Sequence, residues 1–272
     1  MCDTCGCNIT ASNQHLIKPG GKLHAVKQTT TAVTILQGLL SENDQTARHN
    51  RQHFDRHGVL AINLMSSPGS GKTSLLEATL DVISPDLRIA VIEGDLETEN
   101  DAERIRRKGV TAIQITTGNA CHLDAHMIHD ALHSLPLEEL DIVFIENVGN
   151  LVCPASFDLG QHLNVTLLSV TEGDDKPSKY PVMFRAADLV LITKTDLLHV
   201  LDDFDVQTAE KNLRNLASQV PLIALSSRQQ DGISEWLDWL EHQQDEQIQR
   251  LINGSTRQPA IQQDGQRLHA DL

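Results

Sequence analysis

The sequence predicts a three-layer α/β domain on a mostly parallel sheet, with an N-terminal helical extension and flexible tails. Three observations predict it. Strand-like and helix-like segments alternate from Val59 onward, as in repeated βαβ units. Most strand segments are near-continuous Val/Ile/Leu runs, as strands covered on both faces require. A glycine-rich turn, Ser66-Ser67-Pro68-Gly69-Ser70-Gly71-Lys72-Thr73, joins the first strand to the first helix of the alternation. That is the setting of a phosphate-binding loop, and with it the domain reads as a P-loop NTPase. A chain of 272 residues has room for one domain of about 190–200 residues plus tails.

Taken in order, residues 1–28 are polar without apolar period, and are expected to be flexible except where a metal orders Cys2 to Cys7. Residues 29–57 read as a helix or a pair of helices. Val33, Leu36, Leu39 and Leu40 form its apolar stripe, and Ala47 to His57 is polar and basic, with Phe54 as an anchor. The main domain spans 58–250. Strands are expected at 59–65, 87–92, 112–116, 141–146, 165–170, 188–193 and 221–225, and helices at 73–83, 97–107, 121–134, 178–186, 205–218 and 232–250. The Gln-, Asn- and Gly-containing segment 251–272 is expected to be a disordered tail.

Aromatics are scarce, at 3% of the chain, so the core must come from Leu, Ile, Val and Ala. The formal charge of −15 argues against a nucleic-acid partner, because nothing neutralises a phosphate backbone. The five cysteines are odd in number and three crowd the N-terminus, which fits reduced thiols better than a disulfide framework. No apolar run is long enough to span a membrane. The N-terminus carries Cys, Asp and Thr where a signal peptide carries basic and then apolar residues. A cytoplasmic protein is expected.

In the glycine-rich turn, Pro68, Gly69, Ser70, Gly71, Lys72, Thr73 and Ser74 are the expected nucleotide contacts, with Lys72 on the β/γ-phosphates and the Thr73 hydroxyl on Mg²⁺. Ser66 stands where the usual pattern has its first Gly. Asp95 and Glu146 end buried strands at the ligand edge of the sheet, where carboxylates bind Mg²⁺ or orient the attacking water. Lys72, Thr73, Asp95 and Glu146 are thus the expected catalytic set. The run Thr193-Lys194-Thr195-Asp196 resembles a guanine-selecting N-K-x-D box with Thr for Asn. The Asp196 carboxylate suits guanine's ring N–H and amino group, Lys194 would lie along the base, and the loop carrying Ser226, after the strand at 221–225, would supply backbone contacts to the base.

Cys121, His122 and Cys153 all lie on segments leaving the same edge. They read equally as a Zn²⁺ or Ni²⁺ site and as ordinary buried cysteines. Cys2, Cys5 and Cys7 form a dense thiol cluster, read as a site for a soft or borderline metal, with a redox Cys-x-x-Cys as rival. His122, His126, His129 and His133 fall on one helix face. That face is either a solvated surface or an auxiliary metal track running from Cys121–His122.

Several stretches together resemble the HypB family of GTPases that insert nickel into [NiFe]-hydrogenase. They are the phosphate loop, Ile92-Glu93-Gly94-Asp95, Thr117-Gly118-Asn119-Ala120-Cys121-His122, Phe144-Ile145-Glu146-Asn147-Val148-Gly149-Asn150-Leu151-Val152-Cys153-Pro154 and Val170-Thr171-Glu172-Gly173-Asp174-Asp175-Lys176-Pro177. The resemblance covers roughly 58–241 and the N-terminal cysteine cluster. It implies a dimerising G domain that binds GTP or GDP with Mg²⁺, and a metal site of Cys121, His122 and Cys153 near the dimer interface. It further implies a separate nickel site at Cys2, Cys5 and Cys7, a HypA-type nickel-binding partner and a hydrogenase large-subunit precursor as destination. The His-rich storage tract of some members is absent. Two rival readings are an accessory GTPase for another nickel enzyme such as urease, and a nickel-storage protein with a vestigial nucleotide site.

Overall fold

A computed structural model describes residues 30–95, 99–118, 120–216 and 218–259, with side chains from Leu40 onward. The cysteines at 2, 5 and 7 and both far tails lie outside the described residues, as do the side chains of the apolar stripe at 33, 36 and 39. Residues 1–39 form a unit of their own, and the compact unit begins at Leu40.

Seven strands form one parallel sheet: β1 (Leu60–Ser66), β2 (Ile89–Asp95), β3 (Thr111–Thr116), β4 (Ile142–Glu146), β5 (Leu163–Ser169), β6 (Leu189–Thr193) and β7 (Leu222–Ala224). Their order is β3-β2-β4-β1-β5-β6-β7, so β1 is central and is flanked by β4 and β5. All seven expected strands form. β1, β4, β5 and β6 are buried along their whole length; β4 and β6 accordingly read as nearly continuous apolar runs, while β5 buries Asn164 and Thr166 between its apolar residues.

Alternate residues of each strand feed two cores. Leu60, Ile62 and Leu64 face one layer, where Leu75 and Leu76 of α2 (Lys72–Val82), Ile105 of α3 (Asn100–Arg106) and Trp236 of α8 (Ile233–Ile252) pack. Val59 and Ala61 face the other, against Phe54 of α1 (Thr30–His57) and Ile128 of α4 (Ala125–Leu132). On that second face, Met65 and Ile192 meet Phe184 of α6 (Pro181–Arg185) and Leu213 of α7 (Val206–Arg214). Each fully buried side chain of this size stabilises the fold by roughly 1.5–3 kcal/mol.

Three helix expectations are corrected. The helix expected at 121–134 begins only at Ala125, because Asp124 accepts the Met127 N–H at 2.9 Å and caps it. Cys121 and His122 therefore sit on a loop, and His122 leaves the helical stripe. The helix expected at 178–186 is two short pieces, α5 (Lys176–Lys179) and α6, divided before Pro181, which restricts the residue ahead of it. The helix expected at 205–218 ends at Arg214.

The part of α1 from Leu40 is anchored by polar side chains. Asn50 donates to Ala125 O at 2.8 Å and Leu159 O at 3.0 Å, and Arg51 pairs with buried Asp158 at 2.6 Å. Gly160 (φ 94°) lets α1 approach, since a Cβ there would stand 2.5 Å from the Asn50 Cβ. Residues 255–259, assigned above to a disordered tail, are ordered. Arg257 reaches Asp188 at 3.1 Å, and Thr256 donates to Asp55 at 2.8 Å. A guanidinium meeting a largely buried carboxylate holds this segment down.

Candidate functional site

The site is built at the carboxyl edge of β1. Gly69 (φ 75°) and Gly71 (φ 97°) take left-handed conformations that a side chain would strain, and α2 starts directly at Lys72. Lys72 Nζ donates to Ser66 Oγ at 3.2 Å. The unusual Ser66 is thus occupied, holding the lysine of the loop. Ser70 Oγ donates to Glu172 Oε1 at 2.5 Å, and Glu172 also accepts the Ser169 N–H at 3.1 Å. Glu172 belongs to a stretch quoted for the resemblance, but nothing local in the sequence assigned it to the loop.

Three further carboxylates, Glu93, Asp101 and Glu146, converge, with one oxygen from each within 4.8 Å of the others. Glu146 accepts the Thr73 hydroxyl at 2.9 Å and faces Lys72 Nζ at 3.8 Å. Glu93 and Glu146 are register partners on β2 and β4, which is why two acids meet inside the protein. Burial, and then the charge of Glu146, push Glu93 up to about 11. Burial also raises Glu146, opposed by Lys72. One oxygen of each, Glu93 Oε2 and Glu146 Oε2, is buried with no hydrogen-bond partner. Orphaned carboxylate oxygens beside a threonine hydroxyl fit a hard cation such as Mg²⁺. Asp95, two residues beyond Glu93, lies outside this trio; its backbone carbonyl accepts the Thr117 N–H at 2.9 Å.

A cavity of about 260 Å³ runs between Ser70, Gly71 and Ser74 on one side and Thr193, Lys194 and Asp196 on the other, with Arg228 also lining it. Thr193 Oγ1 donates to Ser70 O at 2.7 Å, and Lys194 Nζ donates to Gly69 O at 2.6 Å. The base-box residues therefore grip the phosphate loop directly. Asp196 accepts the Ser226 hydroxyl at 2.7 Å, which aims its carboxylate. Arg228 was not singled out from sequence.

The loop after β4 carries Cys153 and is stitched to the phosphate loop. A Cβ on Gly149 would lie 2.7 Å from Pro68 Cα, so only glycine permits the contact. Asn150 donates its backbone N–H to Ser66 O at 2.7 Å and its side-chain amide to Cys121 O at 3.2 Å. Cys121 Sγ stands 3.2 Å from Cys153 Sγ and 3.7 Å from His122 Nδ1, with both cysteines half-buried and neither in a disulfide. His122 stacks on Phe157 with centroids 3.9 Å apart, and burial holds its imidazole below the ordinary range. The three side chains thus converge within one subunit. Two thiols and a neutral imidazole could hold a borderline divalent ion.

Strand, glycine turn, Lys-Thr and converging carboxylates define a P-loop nucleotide-binding protein. Residues 60–224 match the family described as CobW/HypB/UreG, nucleotide-binding domain. The hydrogenase maturation factor HypB of Azotobacter vinelandii is 50% identical over 224 residues, covering 82% of this chain and 74% of the relative. The hydrogenase/urease maturation factor HypB of Helicobacter hepaticus is 46% identical over 222 residues, covering 80% and 90%. The crystal structure of Helicobacter pylori HypB in complex with nickel superposes with a TM-score of 0.72 at 44% identity, covering 75% of this chain and 96% of that one. The chain belongs to the HypB family of hydrogenase maturation factors. Among the described residues, no helix is long and apolar enough to cross a membrane.

Proposed function

We propose that this protein is a GTP-hydrolysing nickel metallochaperone of [NiFe]-hydrogenase maturation, in which the nucleotide controls a thiol metal site. The observation that carries this is Asn150. One end of it is bonded to Ser66 of the phosphate loop and the other to the carbonyl of Cys121. A shift of either loop is felt by the other through two hydrogen bonds and the Gly149–Pro68 contact.

In this reading Pro68, Gly69, Ser70, Gly71, Lys72, Thr73 and Ser74 cradle the phosphates, and Lys72 offsets the charge that develops on them. Thr73, Asp95 and Glu146 would hold Mg²⁺, which supplies charge neutralisation on the phosphate oxygens. Glu93, beside Glu146, would add to that set. Lys194, Asp196 and Ser226 select guanine. Cys121, His122 and Cys153 carry the nickel cargo, with Zn²⁺ as an alternative occupant, and Cys2, Cys5 and Cys7 form a second thiol site. The protein works as a cytoplasmic homodimer, beside a HypA-type partner and a hydrogenase large-subunit precursor. Nickel affinity of the full chain, measured with GDP and with a non-hydrolysable GTP analogue, tests the coupling. A difference between the two nucleotides in wild type that shrinks in Asn150→Ala supports it, and equal affinities in wild type would sink it.

The Helicobacter hepaticus relative is a hydrogenase/urease maturation factor, which favours one further reading, service to urease as well. Deleting the gene in a host making both enzymes separates the two, since loss of hydrogenase activity alone excludes urease service.

A further inference from the structure

Three histidines on the outer helical layer come together away from the nucleotide site. His49 and His53 lie one turn apart on α1, and His129 lies on α4. One ring nitrogen from each lies within 4.8 Å of the other two. His49 Nε2 and His53 Nε2 are 3.0 Å apart, and the His129 ring centroid is 5.2 Å from His49 and 6.1 Å from His53. Two nitrogens bound to one ion at about 2.1 Å lie about 3.0–3.4 Å apart, so the first pair already has ligand spacing.

The frame around them is fixed. Asn50 uses its amide N–H groups on Ala125 O and Leu159 O, so its Oδ1 must accept. What it accepts is the Nδ1–H of His129 at 3.1 Å. That sets the His129 tautomer with the proton on Nδ1 and leaves Nε2 with a free lone pair, the usual outer-shell arrangement of a metal-binding histidine. Asn50 also ties α1 to the start of α4, so the two helices are held where both sets of rings can meet. Burial, followed by the neighbouring histidines, holds His53 below the ordinary imidazole range, and burial does the same for His129, which favours neutral rings.

We propose that His49, His53 and His129 form a tri-histidine site for a borderline divalent transition ion, Ni²⁺ or Zn²⁺, bridging α1 to α4. An all-imidazole set selects this class over Mg²⁺ or Ca²⁺, which want oxygen ligands. His133, whose ring is 4.8 Å from that of His129, caps the C-terminal end of α4 and is available as a fourth ligand. The site is separate from Cys121, His122 and Cys153 in both ligand type and supporting elements.

The test titrates the full chain with Ni²⁺ alone and with Zn²⁺ alone by calorimetry, while thiolate-to-metal absorption is recorded with Ni²⁺. In His49→Gln/His53→Gln, one equivalent of Ni²⁺ or Zn²⁺ should disappear, or weaken at least about tenfold, with the thiolate absorption unchanged. His129→Gln, on the other helix, should lose the same equivalent. Wild-type stoichiometry and affinity in both variants with both ions would overturn the proposal. Loss of the thiolate absorption alongside the equivalent would also overturn it, because the histidines would then act through the cysteine site.

Discussion

Two clusters of metal-type side chains are mounted differently. Cys121, His122 and Cys153 are on loops at the carboxyl edge of the sheet, one hydrogen-bonded step from the phosphate loop through Asn150. His49, His53 and His129 are on two helices that Asn50 pins to the domain. Mounting, more than ligand chemistry, decides which cluster a nucleotide can influence. A site on loops that share bonds with the phosphate loop is a switchable site. A site between pinned helices is a constant one.

The comparison is broken most severely at the nucleotide. Lys72→Ala should lower GTP turnover by about a hundredfold or more, as loss of a preorganised electrostatic group does. Metal binding at the three histidines should stay unchanged. Equal turnover in steady-state assays would mean that the loop is not catalytic. Gly149→Val is next. Its side chain must displace Pro68, so nucleotide affinity should fall at least about tenfold, read by fluorescent-nucleotide titration. Unchanged affinity would show that the two loops move independently.

Asn150→Ala sharpens the contrast. It keeps the backbone bond to Ser66 and removes two side-chain bonds, the one to Cys121 O and the one from the Val152 N–H within the same loop, each with a net worth of about 1 kcal/mol. Nucleotide affinity should hold, while the nucleotide's effect on nickel affinity at the cysteines should drop several-fold. The histidine cluster should not respond to nucleotide in either protein. Parallel metal titrations with and without nucleotide check both statements.

The smallest effect concerns the frame itself. His162 is buried; its Nδ1 accepts the Ala61 N–H at 2.9 Å, so Nε2–H donates to Asp55 at 3.0 Å. Burial holds its imidazole below the usual 6.5, although Asp55 opposes the shift. The unfolded chain therefore takes up a proton first as pH falls below 6.5. The His162 contribution is complete above that pH and declines below it, by up to about 1.4 kcal/mol per pH unit until the folded group titrates. Urea midpoints at pH 7.5 and 5.5 should differ more in wild type than in His162→Gln, and an equal difference would remove His162 from the acid response.

The sheet was legible because its strands are long apolar runs between turn residues, and all seven formed within a few residues of expectation. The phosphate loop and Asp196 follow strand ends, where a parallel sheet gathers its ligands, and Cys121, His122 and Cys153, read equally as a metal site and as buried cysteines, come together on segments leaving the same edge. What escaped depends on register and on packing between distant segments. Glu93 meets Glu146 only because β2 lies beside β4. His129 meets His49 and His53 only because Asn50 draws α1 onto α4. The His126, His129 and His133 stripe was visible in the sequence, but its partners were not on that helix. The start of α4 was misjudged because Asp124 outcompetes the apolar pattern before it.

Thr193 carries a consequence for purine choice. Its hydroxyl, donated to Ser70 O at 2.7 Å, ties the end of β6 to the phosphate loop. A wall held in place by the fold itself lowers the ordering cost of each binding event. Under the proposed reading, discrimination would fall on such walls, above all on Asp196 as aimed by Ser226, and a designer wishing to change the preferred purine could recut them without retuning the grip on phosphate.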